Sequence, residues 1–268
     1  MKKLTKALGV TFFTAIAIFM ILPLVYMAMM SMTPNMSTAI NTRFSEYGFT
    51  NYRSIFVSMD FLRYFFNTAI VVFGALLLNN LFGAMAGYAF SKKKFPGKTK
   101  LYYGIIITMM IPGQVTLIPM FIMASSLSLN DTLFILMIPI INAFSVFFMT
   151  QSMMSLPDDM LEAARIDGAN EAKTFLYIVL PLARFAIVSL SIFSFITVWN
   201  DFLWPLVMIS DSSKRTMTLA VAMLRTNYAV NYGLMMAGSV LVFLPPFIAY
   251  CLLQKRFVES ISMSGIKA

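Results

Sequence analysis

Histidine is missing altogether from these 268 residues. Its absence excludes imidazole metal sites, Ser-His and Cys-His nucleophilic pairs, and histidine proton relays. Cysteine occurs once, as Cys251 in an apolar run, so no internal disulfide forms and the thiol reads as a packing residue. Charge is scarce too. Asp, Glu, Lys and Arg together make up 12% of the chain, about half the fraction usual for a soluble domain.

What replaces charge is apolar surface. Hydrophobic residues account for 59% of the chain, and its mean hydropathy is +0.80. A bilayer is the solvent that suits such a surface. The 24 methionines are scattered through the apolar stretches and read as adaptable packing. A formal charge of +9 remains, gathered in the termini and a few connecting segments. No basic stripe with interleaved aromatics accompanies it, so the surplus points to loops facing anionic lipid and not to nucleic acid.

Six stretches are long enough to cross roughly 30 Å of hydrocarbon as helices. They run approximately over Leu8–Met32, Phe65–Phe90, Leu101–Ser126, Thr132–Met154, Phe185–Ile209 and Tyr232–Gln254. The first is too long for the apolar core of a cleavable signal and reads as a retained span. Fourteen of the 20 Lys and Arg fall in the N-terminus, the 91–100 loop, the 155–184 loop and the C-terminal tail. Positive charge is retained inside, so both termini and these two loops are expected in the cytoplasm. No loop is long enough for a separate globular domain. The expectation is one all-α membrane domain over 1–268.

The most informative segment is Ser155–Arg184. Pro157, Asp158 and Asp159 suit a first helical turn, with the acids complementing the helix dipole. Met160, Leu161 and Ala164 fall at helical spacing on one face, with Glu162 and Arg165 elsewhere. Gly168 stands where a left-handed helix stop is needed, and Asn170 can cap a second helix running toward Pro181. A short amphipathic helix of this kind fits either a groove in a partner or the lipid headgroup layer. Gly97-Lys98-Thr99 ends like a phosphate-binding loop, but Lys92 stands where that motif requires glycine.

The spaced pattern Glu162-Ala163-Ala164, then Gly168, then Ile178-x-Leu180-Pro181 resembles the EAA loop of binding-protein-dependent ABC importers. Asn51-Tyr52-Arg53, the run Gly87–Lys98, Met110–Phe121, Ile166-Asp167-Gly168-Ala169 and Trp199–Phe202 with Trp204-Pro205-Leu206 are similar to the smaller permease subunit of maltose-type carbohydrate importers. The resemblance covers nearly the whole chain. It implies a cytoplasmic coupling helix between the fourth and fifth spans, with Glu162, Ala163, Ala164, Asp167 and Gly168 meeting an ATP-hydrolysing subunit. It further implies a bacterial inner-membrane location, a second permease subunit, two ATPase subunits that bind the ATP and Mg, and an extracytoplasmic solute-binding protein. This chain itself would hold no cofactor and perform no catalysis.

Candidates for lining a solute path are the polar groups at membrane depth: Asp201 with Asn200 and Trp204, and then Gln114 and Asn142. A carboxylate in a span costs about 2.5–3.5 kcal/mol on insertion scales, so Asp201 should face a cavity or a partner. A helix-capping or inter-subunit contact would satisfy it equally, and helix–helix hydrogen bonds would satisfy Gln114 and Asn142. Carbohydrates, glycerol phosphates and uronate oligomers all remain open as solutes. The rival classes are an ion-coupled secondary transporter of a small polar solute, which usually carries more intramembrane charge, a channel, for which no filter-like ring appears, and an enzyme, against which the missing histidine and the scarcity of buried acid pairs argue.

Overall fold

The computed structural model describes residues 2–33, 47–224 and 231–265, with no strand among the described residues. In chain order the helices are α1 (Lys2–Ser31), α2 (Thr50–Ser58), α3 (Phe61–Lys92), α4 (Lys98–Ile107) and α5 (Gly113–Ser126). Next come α6 (Ala143–Met154), α7 (Asp158–Ile166), α8 (Glu171–Thr174), α9 (Leu180–Leu182) and α10 (Arg184–Trp199). The series ends with α11 (Leu203–Met208), α12 (Met217–Ala222) and α13 (Tyr232–Gly265).

Three apolar helical stretches are long enough to cross a membrane alone: Leu8–Ser31, Phe61–Lys92 and Tyr232–Leu252. Two bent pairs, Lys98–Met110 with Gly113–Ser126 and Glu171–Leu182 with Arg184–Trp199, raise the number to five if each pair is one span. The expected span over 101–126 is therefore not straight. It bends by 104° where Pro112 forces Ile111 into an extended conformation (φ −87°, ψ 116°) and stops the helix. The expected fourth span over 132–154 is not one helix either. A 3-10 turn covers Phe134–Met137, Pro139 lies in irregular chain, and only Ala143–Met154 is α-helical. Those 12 residues reach about 18 Å. The fifth stretch ends at Trp199 and resumes as α11 after a break at Asn200–Phe202. In contrast, Pro23, Pro245 and Pro246 sit inside unbroken helices.

Contacts between Cα atoms group the chain into two compact units, Met1–Phe65 with Met217–Phe247 and Phe66–Thr216 with Ile248–Ala268. In the first, buried Asn51 on α2 donates to the carbonyls of Ser31 and Thr33, each at 2.9 Å. It thereby serves carbonyls that the end of α1 leaves without helical partners. In the second, a core of Ala84, Tyr88, Met149, Met153, Leu161, Val179, Ala183 and Leu190 ties α3, α6, α7 and α10 together. Of the tail, residues 266–268 lie outside the described residues.

Candidate functional site

Helix α7 is built as expected from its sequence. Pro157 stands at its N-cap, Asp158 and Asp159 occupy the first turn, and Arg165 lies in the last. Its end is a Schellman motif: Gly168 N–H donates to Arg165 O at 3.1 Å, and Ala169 N–H to Ala164 O at 2.9 Å. Gly168 has φ +79°, the left-handed conformation that glycine adopts without strain. Asn170 then caps α8 by accepting from Lys173 N at 2.9 Å. A five-residue π-helix, Phe175–Val179, follows and runs into Pro181, before a 74° bend to α10.

The faces of α7 differ from the sequence expectation in one respect. Leu161 (4% exposed) and Ala164 pack into the chain's own core, but Met160 does not join them and is 46% exposed. The outward face consists of Asp159, Glu162, Ala163 and Ile166, with Asp167 beside it, and Ile166 is 86% exposed. Glu162 makes no hydrogen bond or ion pair within the described residues. Leu161 thus anchors the helix to the core, while Glu162, Ala163 and Ile166 are left free to meet a partner. Ala164 serves internal packing.

A second feature is a cavity of about 740 Å³ within the 66–216 unit. The three irregular joints described above line it, with residues 108–120, 138–144 and 197–204 contributing. Gln114, Asn142 and the neighbours Asp201 and Trp204, from three separate parts of the sequence, meet here. Asn200 does not line it, and its amide donates to Ile196 O at 2.8 Å in its own helix. Asp201 precedes α11, and its Oδ1 accepts from Trp204 N at 3.4 Å, a long contact at the start of that helix. Asn142 Oδ1 caps α6 by accepting from Ser145 N at 3.2 Å, and its amide N–H groups make no hydrogen bond within the described residues. Gln114 is exposed and makes no hydrogen bond within the described residues. Trp204 is buried, with its indole N–H donated to Ile135 O at 2.9 Å, so it forms wall and not an open stacking platform. The aromatic ring exposed on the lining is that of Phe144.

Residues 79–262 match the family described as binding-protein-dependent transport system inner membrane component. The chain belongs to this family. The permease protein of a diacetylchitobiose uptake system from Streptomyces coelicolor is 30% identical over 94% of this chain and 85% of its own. The permease protein of an arabinooligosaccharide transport system from Halalkalibacterium halodurans is 31% identical over 97% and 95%. A crystal structure of a bacterial ABC transporter involved in import of the acidic polysaccharide alginate superposes with a TM-score of 0.80. That match covers 93% of this chain and 96% of the other at 22% identity, a likeness of fold. The protein is a multi-pass inner-membrane permease subunit of an ABC-type importer that works with a solute-binding partner, and its part is transport and not catalysis. The secondary-transporter and channel readings are set aside. Among the described residues, no His, Cys, Asp and Glu group could hold a metal ion.

The permease carries one constellation that sequence reasoning passed over. Lysines of the 91–100 loop, read above only as an orientation signal, hold the 155–184 loop in place. Lys92 Nζ donates to Asp158 Oδ1 at 2.8 Å and Leu156 O at 2.6 Å, and Lys93 Nζ pairs with Glu171. Tyr88 O–H also donates to Glu171, at 3.1 Å, and Lys93 lies over the Tyr88 ring. Hydrogen bonding to Lys93 is the main influence holding the Glu171 carboxyl below its usual pKa, as Lys92 does for Asp158. Burial pulls Lys93 down, but its bonds to Glu171 and Tyr88 outweigh that and raise it. Lowered carboxyl values stabilise the loop above the usual carboxylate range and lose that contribution as pH falls through the folded value. The raised lysine contributes below its usual value and loses its contribution as pH rises through the folded one. Glu171→Gln is therefore expected to melt below wild type between about pH 5 and 10, with the gap closing below about pH 4. Thermal unfolding in detergent across that range checks this, and a gap that persists at acid pH would contradict it.

Proposed function

We propose that this permease passes a neutral oligosaccharide through the cavity at Gln114, Asn142 and Asp201, driven by ATPase subunits that grip α7 from the cytoplasm. The carrying observation is the convergence of these polar groups on one cavity where Asp201 is the only charged residue among the described residues of the lining. Sugar hydroxyls both donate and accept. The Asn142 and Gln114 amides can serve their oxygens, and the free lone pairs of Asp201 can accept their protons. A phosphate or uronate would meet a carboxylate that no lining Lys or Arg among the described residues offsets. The relatives named for diacetylchitobiose and arabinooligosaccharides support a sugar.

In this reading the chain crosses the membrane six times, with both termini inside. A second permease subunit completes the path, and two ATPase subunits hold ATP and Mg. Their closure displaces α7 through Glu162, Ala163, Ile166 and Asp167, and Leu161 carries the motion into the core. ATP drives the change only through contacts that differ between the two states.

The test is the assembled complex in proteoliposomes, with the solute-binding protein loaded with a neutral oligosaccharide. Asp201→Asn is expected to lower uptake about tenfold, as loss of a charged hydrogen bond would, and Gln114→Ala severalfold. Asn200→Ala should remain near wild type, because that residue faces its own helix. Equal losses at Asn200 and Asp201 would contradict the assigned path. Uptake that survives a disabled ATPase would overturn the drive.

A further inference from the structure

Lys92 is an unusual lysine. It ends a 32-residue helix, yet its side chain is only 5% exposed. Its ammonium reaches Met154 O at 3.4 Å, Leu156 O at 2.6 Å and Asp158 Oδ1 at 2.8 Å. These acceptors are the last residue of α6, the linker after it, and the first residue of α7. The three donors of an ammonium match three acceptors on three successive segments, at a helix C-terminus whose carbonyls otherwise lack partners.

Further along α3, Asn79 donates to Ser194 Oγ at 2.8 Å and Asn80 to Ser191 Oγ at 2.7 Å. Both serines lie on α10, and Ser191 Oγ in turn donates to Ile187 O at 2.7 Å. The C-terminal end of α10 supplies Thr197 and the following Asp201 to the cavity. Fixed polar contacts therefore run from α7 through Lys92 to α3, and from α3 through two amides to α10 and the cavity wall.

We propose that Lys92 is a positioning residue that, beside the Leu161 packing, ties displacement of α7 to α3, so that α3 and α10 move as one body with the ATPase-facing helix. Resting on the importer reading above, the inference assigns coupling to a residue outside the 155–184 loop. Direct continuity of the chain from α7 to α10 passes through the Gly168 turn, the π-helix and the 74° bend, so no straight α-helix joins the two. The Lys92 link bypasses all three.

The decisive measurement is the number of ATP molecules hydrolysed per solute imported by the full complex in proteoliposomes. Lys92→Met leaves the outward face of α7 untouched, so ATPase subunits should still copurify, while ATP consumed per solute rises about tenfold. Lys92→Arg should restore most of the coupling. Asp158→Ala cuts only the bond to α7 and removes an acid whose side chain is 71% exposed. A merely structural role predicts no change for it, whereas the proposal predicts a severalfold rise in ATP per solute. If Lys92→Met fails to accumulate, Asp158→Ala decides alone. Wild-type stoichiometry in Asp158→Ala overturns the proposal. Failure of ATPase subunits to bind even the unaltered chain instead overturns the importer reading on which it rests.

Discussion

Gly168→Val is expected to abolish most of the stimulation of ATP hydrolysis by loaded binding protein, while the chain still inserts and accumulates in the membrane. The residue sits at φ +79°, and a Cβ added there meets nothing within 4 Å. The penalty is therefore in the backbone. A non-glycine residue in the left-handed region costs about 1–2 kcal/mol, and for a β-branched side chain that conformation is an outlier. Such a cost shifts the turn's equilibrium by roughly 5–30-fold. It falls on the two Schellman bonds that set the angle between α7 and α8. The apolar core stays in place, so insertion is unaffected. Gly168→Asn should recover much of the activity, because asparagine tolerates this conformation best among other residues. Measuring ATPase rates with and without binding protein for both variants checks this. A valine variant that is fully stimulated would remove Gly168 from any coupling role.

The fold class and the α7 turn were legible because each depends on local chemistry. Apolar length marks spans, and glycine at a helix end marks a left-handed stop. The breaks in the third and fifth stretches were not legible from proline alone. Pro112 ends a helix, while Pro23, Pro245 and Pro246 do not. At Pro112 the next residue is Gly113, and this Pro-Gly pair punctuates the chain in a way a lone proline does not. The sequence offered no equally clear signal for the short helix at 143–154, whose run of apolar residues conceals a 3-10 turn and an irregular joint.

The candidate site divides along the same line. That Gln114, Asn142 and Asp201 share a cavity is a tertiary fact, suggested beforehand only by the energetic penalty of burying polar groups in lipid. The lysines at 92 and 93 are visible in the sequence, but topology alone accounts for their charge, and nothing local specifies their pairing with Asp158 and Glu171. Glu171 in the first turn of α8 was one available signal, since an acid there faces the same loop as three consecutive lysines.

A GxxxG spacing, Gly83-Ala84-Met85-Ala86-Gly87, lies in α3 and marks where two helix backbones can approach closely. Only at one of its glycines is the approach too close for a side chain. A Cβ at Gly87 would lie 2.6 Å from Met149 Cβ, 2.8 Å from Met149 C and 3.1 Å from Thr150 N, whereas at Gly83 it would meet nothing nearer than 3.4 Å. The atoms opposing Gly87 include backbone and cannot swing aside, so α3 and α6 must part by about 1 Å to admit even a methyl group. Parting them loosens Ala84, Tyr88, Met149 and Met153 together, and with them the core that seats Leu161 of α7. Overpacking of this kind costs about 1–3 kcal/mol for a methyl group and more for a larger side chain. Gly87→Ala should lower the melting temperature of the detergent-solubilised permease, and Gly87→Leu should prevent its accumulation. Gly83→Ala, one turn away on the same helix, should remain close to wild type. Equal melting temperatures for the two alanine variants would mean that α3 and α6 do not meet at Gly87, and the seat of α7 would have to be sought elsewhere.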